Sequence, residues 1–193
     1  MSAPSSVPVP RDRYWTVPLG RAVVALIVAA VITFNANHSA MVGLITFGAY
    51  ALIAGVIMAI GSRYVADRVA RRLLLAQGIF SVVAGILALI LNGAGLGVFL
   101  YTVSVWAALT GFCELYCGIR TRTQSAAARD WLLVGGLTAV LAIVFLLIPA
   151  DAVLAVGLFG AYAVIVGVYL GIGAFSLKWG TQHPQPSHTE TGS

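Results

Sequence analysis

The chain has 193 residues, 60% of them hydrophobic and only 9% charged, with a net charge of +5. A soluble domain is about 45–50% apolar and about 25% charged, so this composition excludes an ordinary globular fold. Nucleic acid is not the expected partner of the basic excess, because the arginines form no patch interleaved with base-stacking aromatics.

Residues 1–14, "MSAPSSVPVPRDRY", are rich in Pro and Ser and are expected to be disordered, as is the Pro- and Thr-containing tail at 179–193. Between them lie six apolar runs, at 18–36, 40–61, 73–91, 98–119, 131–148 and 153–177. About 20 apolar residues carry a helix across a hydrocarbon core about 30 Å thick. The first run is too long for the apolar core of a cleaved signal peptide, and it is retained as a helix. The connections are "NANHS", "SRYVADRVARR", "NGAGLG", "RTRTQSAAARD" and "PADA". "NGAGLG" joins two spans with no strand before it, which makes it a tight turn and not a phosphate loop. Asp151 in "PADA" suits the N-cap of the sixth helix. Trp15 and Trp131, at the starts of the first and fifth spans, suit the interfacial aromatic belt.

All 11 basic residues fall in the N-terminal segment, the second and fourth connections, the tail, or helix ends adjoining these. The positive-inside rule then places both termini in the cytoplasm, with the arginine-rich connections against anionic lipid of the inner leaflet.

The chain also repeats itself. "GAYALIAGVIMAIG" at 48–61 returns as "GAYAVIVGVYLGIG" at 160–173. Gly55, Gly111 and Gly167 stand 56 residues apart, with Tyr50, Trp106 and Tyr162, and Ala51, Ala107 and Ala163, in the same register. The preceding helices align at a spacing of 58 through Gly20, Gly78 and Gly136. A fixed period of this kind marks a repeat architecture. The expected fold is all-α: six transmembrane helices as three parallel helical hairpins (15–63, 73–120, 131–178) in a compact bundle. Gly55, Gly111 and Gly167, with Ala51, Ala107 and Ala163, are the candidate helix-packing residues, since small side chains let backbones approach in lipid.

Three stretches carry a family resemblance: "WAALTGFCELYCGIRTR" (106–122), "RDWLLVGGLTAVLAIVFLLIP" (129–149) and "GAYAVIVGVYLGIGAFSLK" (160–178). Their Gly-centred helices and arginine-ended even spans resemble the HdeD family. The resemblance implies a bacterial inner-membrane protein, associated with acid resistance and built from short membrane repeats of unknown function. Two departures stand out: the family's proline after each first helix is present only as Pro149, and Gly20–Arg21 reverses the usual order.

Few residues inside the spans carry chemistry. Glu114 lies six residues before Arg120, and Arg21 six residues past Trp15. Each is therefore about 9 Å from the same end at 1.5 Å per residue. Equal depth and opposite charge make them a candidate intramembrane pair, with Gln77 as an additional donor. Separate snorkelling of each side chain and a proton- or ligand-handling Glu114 are the competing readings. Cys113 and Cys117 are expected to be small apolar fillers, because i and i+4 positions on a helix suit disulfide geometry poorly. Two Cys and one Glu fall short of a zinc site, and His38, His183 and His188 lie in a connection and the tail. No catalytic residue, metal or cofactor is expected. The polar inventory of Thr46, Ser81, Ser104, Thr110 and Thr138 is thin for a transporter. The expectation is a non-enzymatic multi-pass membrane protein with a part in acid or envelope stress tolerance, the alternative being a small solute or proton channel or transporter. Homo-oligomers or other membrane proteins complete the expected partners.

Overall fold

A computed structural model describes residues 15–123 and 127–180, and all of its regular structure is helical. Six helices follow one another: α1 (Thr16–Phe34), α2 (Ala40–Gly61), α3 (Arg68–Ile90), α4 (Leu96–Thr121), α5 (Ala128–Leu147) and α6 (Ala152–Gly180). A 3-10 turn, Ser62–Tyr64, extends α2. The helices contain 19 to 29 residues, and all six are long and apolar enough to cross a membrane. Helix is the form such segments must take, because hydrocarbon offers no partner for a backbone N–H or C=O.

The ends of the helices are set by side chains that take over these unpaired groups. Ser39 Oγ accepts from Val42 N at the start of α2, Asp67 Oδ1 from Ala70 N at α3, and Asp151 Oδ1 from Leu154 N at α6. Asn35 and Asn37 fold the first connection through bonds to Asn37 N and Ser39 N. Gly95 turns the third with a φ of 88°, a left-handed conformation that only glycine adopts without strain.

The bundle is apolar outside, and inside it combines small residues, aromatic rings and a few polar groups. Ile27, Phe34, Ile79, Ile90, Phe112, Ile119 and Leu146 are more than half exposed and face the surroundings. Ala51, Ala107 and Ala163 are fully buried. The closest backbone approaches join α2 to α3, α4 to α5 and α1 to α6. A Cβ on Gly55 would lie 2.7 Å from Gly78 O, one on Gly111 2.8 Å from Ala139 N, and one on Gly167 3.2 Å from Leu26 N. The first two interfaces join helices linked by the arginine-bearing connections.

Several sequence expectations need correction. Helix α3 starts at Arg68, five residues before the apolar run, because Asp67 caps it and arginine side chains can leave a helix toward the interface. The contact glycine of α5 is Gly135, whereas a Cβ on Gly136 would meet nothing within 4 Å. Trp131 is not a belt residue. It is 4% exposed and packs with Met58, Leu74 and Cys117. The chain ends expected to be disordered, 1–14 and 181–193, lie outside the described residues, as do Arg11, Arg13, His183 and His188. Residues 179 and 180 continue α6.

Candidate functional site

Each of the six helices supplies at least one residue to a small polar cavity on the bundle axis. Arg21 enters from α1, Tyr50 from α2, Gln77 and Ser81 from α3, Trp106 and Glu114 from α4, Thr138 from α5 and Tyr162 from α6. It has about 10 Å³ of room for the centre of a water molecule, which is about what one buried water needs.

Glu114 organises it. The residue is 1% exposed, and its Oε1 lies 2.7 Å from Arg21 Nη2 and accepts from Gln77 Nε2 at 3.0 Å. Arg21 and Gln77 are themselves 8% and 6% exposed, so the three groups meet away from solvent. A charge left alone at such depth costs several kcal/mol, about 3–5 when its partner is removed. Two acceptors, Glu114 Oε2 and Gln77 Oε1, find no donor among the described residues. The hydrogens of one water in the cavity would complete them.

Above this cluster lie three aromatic residues from one repeat position. Trp106 Nε1 donates to Ser81 Oγ at 3.0 Å. The Tyr162 hydroxyl is 2.9 Å from Thr138 Oγ1, which also lies 2.7 Å from Val134 O of its own helix. If the single Thr138 hydrogen serves Val134 O, the tyrosine is the donor. Tyr50 lines the same cavity as Arg21 and Tyr162, with its ring 6.5 Å from that of Tyr162 and nearly perpendicular to it. Thr110 also lines the cavity, whereas Thr46 does not, and the hydroxyls of both bond carbonyls of their own helices.

Beyond the tyrosines the axis is closed by rings. Phe47 meets Trp106 edge to face at 5.4 Å and Phe159 at 5.7 Å, and Phe159 meets Phe99 at 6.5 Å. Phe47, Phe99 and Phe159 are all fully buried. Phe99 occupies space that a larger residue at Gly43 would need, since a Cβ there would lie 2.9 Å from Phe99 Cζ.

The ring column escapes the sequence reading, although the repeat contains a signal for it. Carried along the chain, the 56-residue step relates Gly43, Phe99 and Ala155; Phe47, Val103 and Phe159; and Met58, Glu114 and Leu170. All of these are buried, and all lie on α2, α4 or α6. Glu114 thus stands where the other two copies carry Met58 and Leu170. The polar cluster is the place where the repeat departs from itself.

The cysteines remain apart from this site. Both are free, Cys117 is fully buried, and its Sγ lies 3.8 Å from Ala70 O. At the arginine-bearing end, Asp67 Oδ1 accepts from Ala70 N at 2.8 Å and from Arg120 Nε at 3.1 Å. The backbone N–H first and the guanidinium second hold the Asp67 carboxyl below the usual carboxylate range. Among the described residues, no group of three His, Cys, Asp or Glu side chains is placed to hold a metal ion.

A family profile described as a short repeat of unknown function, DUF308, matches the chain twice, over residues 20–89 and 76–148. The chain belongs to this family. The two DUF308 matches begin 56 residues apart, the same step that separates Gly55 from Gly111. The first covers most of α1, all of α2 and most of α3, and the second covers most of α3 and all of α4 and α5, ending at the residue after α5. No curated protein and no solved structure matches the chain.

Proposed function

We propose that this DUF308 protein is a non-enzymatic component of a bacterial inner membrane that supports tolerance of acid or envelope stress, in the manner the resemblance to the HdeD family implies. Both termini are assigned to the cytoplasm, and the bundle is read as three parallel copies of one hairpin. The inner-leaflet lipids, a second copy of the chain, or other membrane proteins are its partners. The observation that carries the non-transport reading is the column of Phe47, Phe99 and Phe159, which fills the axis between the Glu114 cavity and the end away from the arginines. A transporter places its site where polar groups reach both sides in turn, and here one side is packed with buried rings.

A proton or solute pathway is the second reading, and Glu114 favours it, being a buried carboxylate with one oxygen open to the cavity. A deletion strain tests the two together. Loss of survival in acid, with normal growth at neutral pH and rescue by the wild-type gene, is the expected result. Survival equal to the parent under both acid and envelope stress would remove the proposed role. Proteoliposomes separate the readings: flux no greater than in protein-free vesicles is expected, and a proton flux abolished by Glu114→Gln at equal protein content would favour transport.

A further inference from the structure

The arginine-bearing end is not uniform. Arg120 is tied to Asp67, and Lys178 Nζ sits 5.0 Å from the centre of the Trp15 ring. The connection between α2 and α3 differs, because there the ends of the two helices border an open groove of about 400 Å³. Three arginines line it, Arg63, Arg71 and Arg72, together with Ser62 and the apolar side chains of Ile60 and Leu75. Cavities of about 300–1,000 Å³ are the size that holds a small ligand.

Charge and shape identify the ligand class. Arg63, Arg71 and Arg72 form no ion pair among the described residues, and no acidic side chain lines the groove. Asp67, in the same connection, is already engaged by Ala70 N and Arg120. Three guanidinium groups around one space suit an oxyanion, above all a phosphate, which their planar donors engage in pairs. The apolar side of the groove excludes a purely soluble ion as the best fit. Ile60 and Leu75 are 51% and 41% exposed and belong to the surface that faces hydrocarbon. The ligand therefore combines an anionic head with acyl chains.

We propose that Arg63, Arg71 and Arg72 form a binding site for the phosphate headgroup of an anionic phospholipid, whose chains descend past Ile60 and Leu75. The site rests on the membrane-spanning reading and on the assignment of anionic lipid as a partner, and it gives that partner one address. Basic pockets between helices at a membrane surface are suited to such headgroups.

Native mass spectrometry of the full chain, released from mixed micelles containing equal amounts of phosphatidylglycerol and phosphatidylcholine, tests it. Wild type is expected to retain phosphatidylglycerol preferentially. Loss of each arginine should weaken retention by about fivefold, so the triple change Arg63→Gln/Arg71→Gln/Arg72→Gln removes the preference. Arg122→Gln/Arg129→Gln, at the other arginine-bearing connection, should leave it intact. Helical circular dichroism checks each variant, and if the triple variant does not fold, the three single variants decide the matter. An unchanged preference in the triple variant, or in all three singles, overturns the site. Displacement of the lipid by glycerol 3-phosphate at equal concentration overturns the lipid and leaves a soluble phosphate ester as the ligand. A helical protein recovered from membranes without anionic preference refutes this site alone. A protein absent from the membrane fraction refutes the spanning reading beneath it.

Discussion

Around Phe47, Phe99 and Phe159 the axis of the bundle is filled by rings, meeting edge to face at centroid distances of 5.7 and 6.5 Å. Around Glu114 it is filled by one ion pair, one amide and a cavity with room for about one water. The rings and Glu114 stand at positions related by the 56-residue step, yet the two regions are stable for different reasons. At the ring end the three positions Gly43, Phe99 and Ala155 need only add up to the right volume, and one phenyl fills the space beside a glycine. At the polar end each group depends on a particular partner, and volume alone replaces nothing. The difference teaches that a repeat can vary freely in size where it packs, while a single charged substitution commits the neighbouring copies to answer it.

Substitutions of matched size should separate the two regions. Glu114→Gln nearly conserves shape but leaves Arg21 buried without its counter-charge, and a loss of about 3–5 kcal/mol is expected. Phe159→Met, a larger change of shape at the ring end, should cost only about 1 kcal/mol, because a flexible apolar chain still fills the space. Unfolding measured in the same lipid mixture compares them, and equal losses would mean that the polar end is held by packing after all.

The next contrast uses adjacent residues beside Glu114. A Cβ on Gly135 would lie 2.8 Å from Leu115 N and 2.9 Å from Glu114 Cβ, so Gly135→Ala must push α4 away and should cost about 1–3 kcal/mol. Gly136 has open space, and Gly136→Ala should stabilise by up to about 1 kcal/mol through helix propensity. Thermal melting of the two variants decides, and a reversed order would mean that α4 and α5 do not meet at Gly135.

The smallest effect is expected at the exposed pair, which isolates what burial contributes. Asp67→Asn keeps the cap on α3 but removes the charge facing Arg120. Because the folded carboxyl is held below its ordinary range, its contribution is present at neutral pH and is lost as pH falls through that lowered value. Wild type should melt slightly above the variant at pH 7, and the gap should close in strong acid. A gap that widens on acidification would contradict the assigned pair.

The number of helices is legible in the sequence because each apolar run is long enough to cross a bilayer and is separated from the next by polar or glycine-rich residues. Where the helices start is less so: arginine is compatible with both a loop and a helix end, and only the Asp67 cap shows that α3 includes Arg68, Arg71 and Arg72. A lone tryptophan at a span boundary is equally ambiguous, and Trp131 turns inward to Met58 and Leu74. Equal depth for Arg21 and Glu114 follows from counting residues. That α1 and α4 turn these faces to a common axis does not, since the spans are apolar all round and carry no strong amphipathic stripe to orient them. The repeat register supplies part of the missing orientation, through the buried positions shared by Phe47, Val103 and Phe159.

The dependence of Arg21 and Glu114 on each other is measured most directly by a double-mutant cycle in a bilayer, using Arg21→Leu, Glu114→Leu and the two together. The double leucine variant should recover much of the stability lost by Glu114→Leu alone, giving a coupling of at least about 1 kcal/mol. Losses that simply add would show that the two charges stand independently, and the polar cluster would no longer be the feature that holds this axis together.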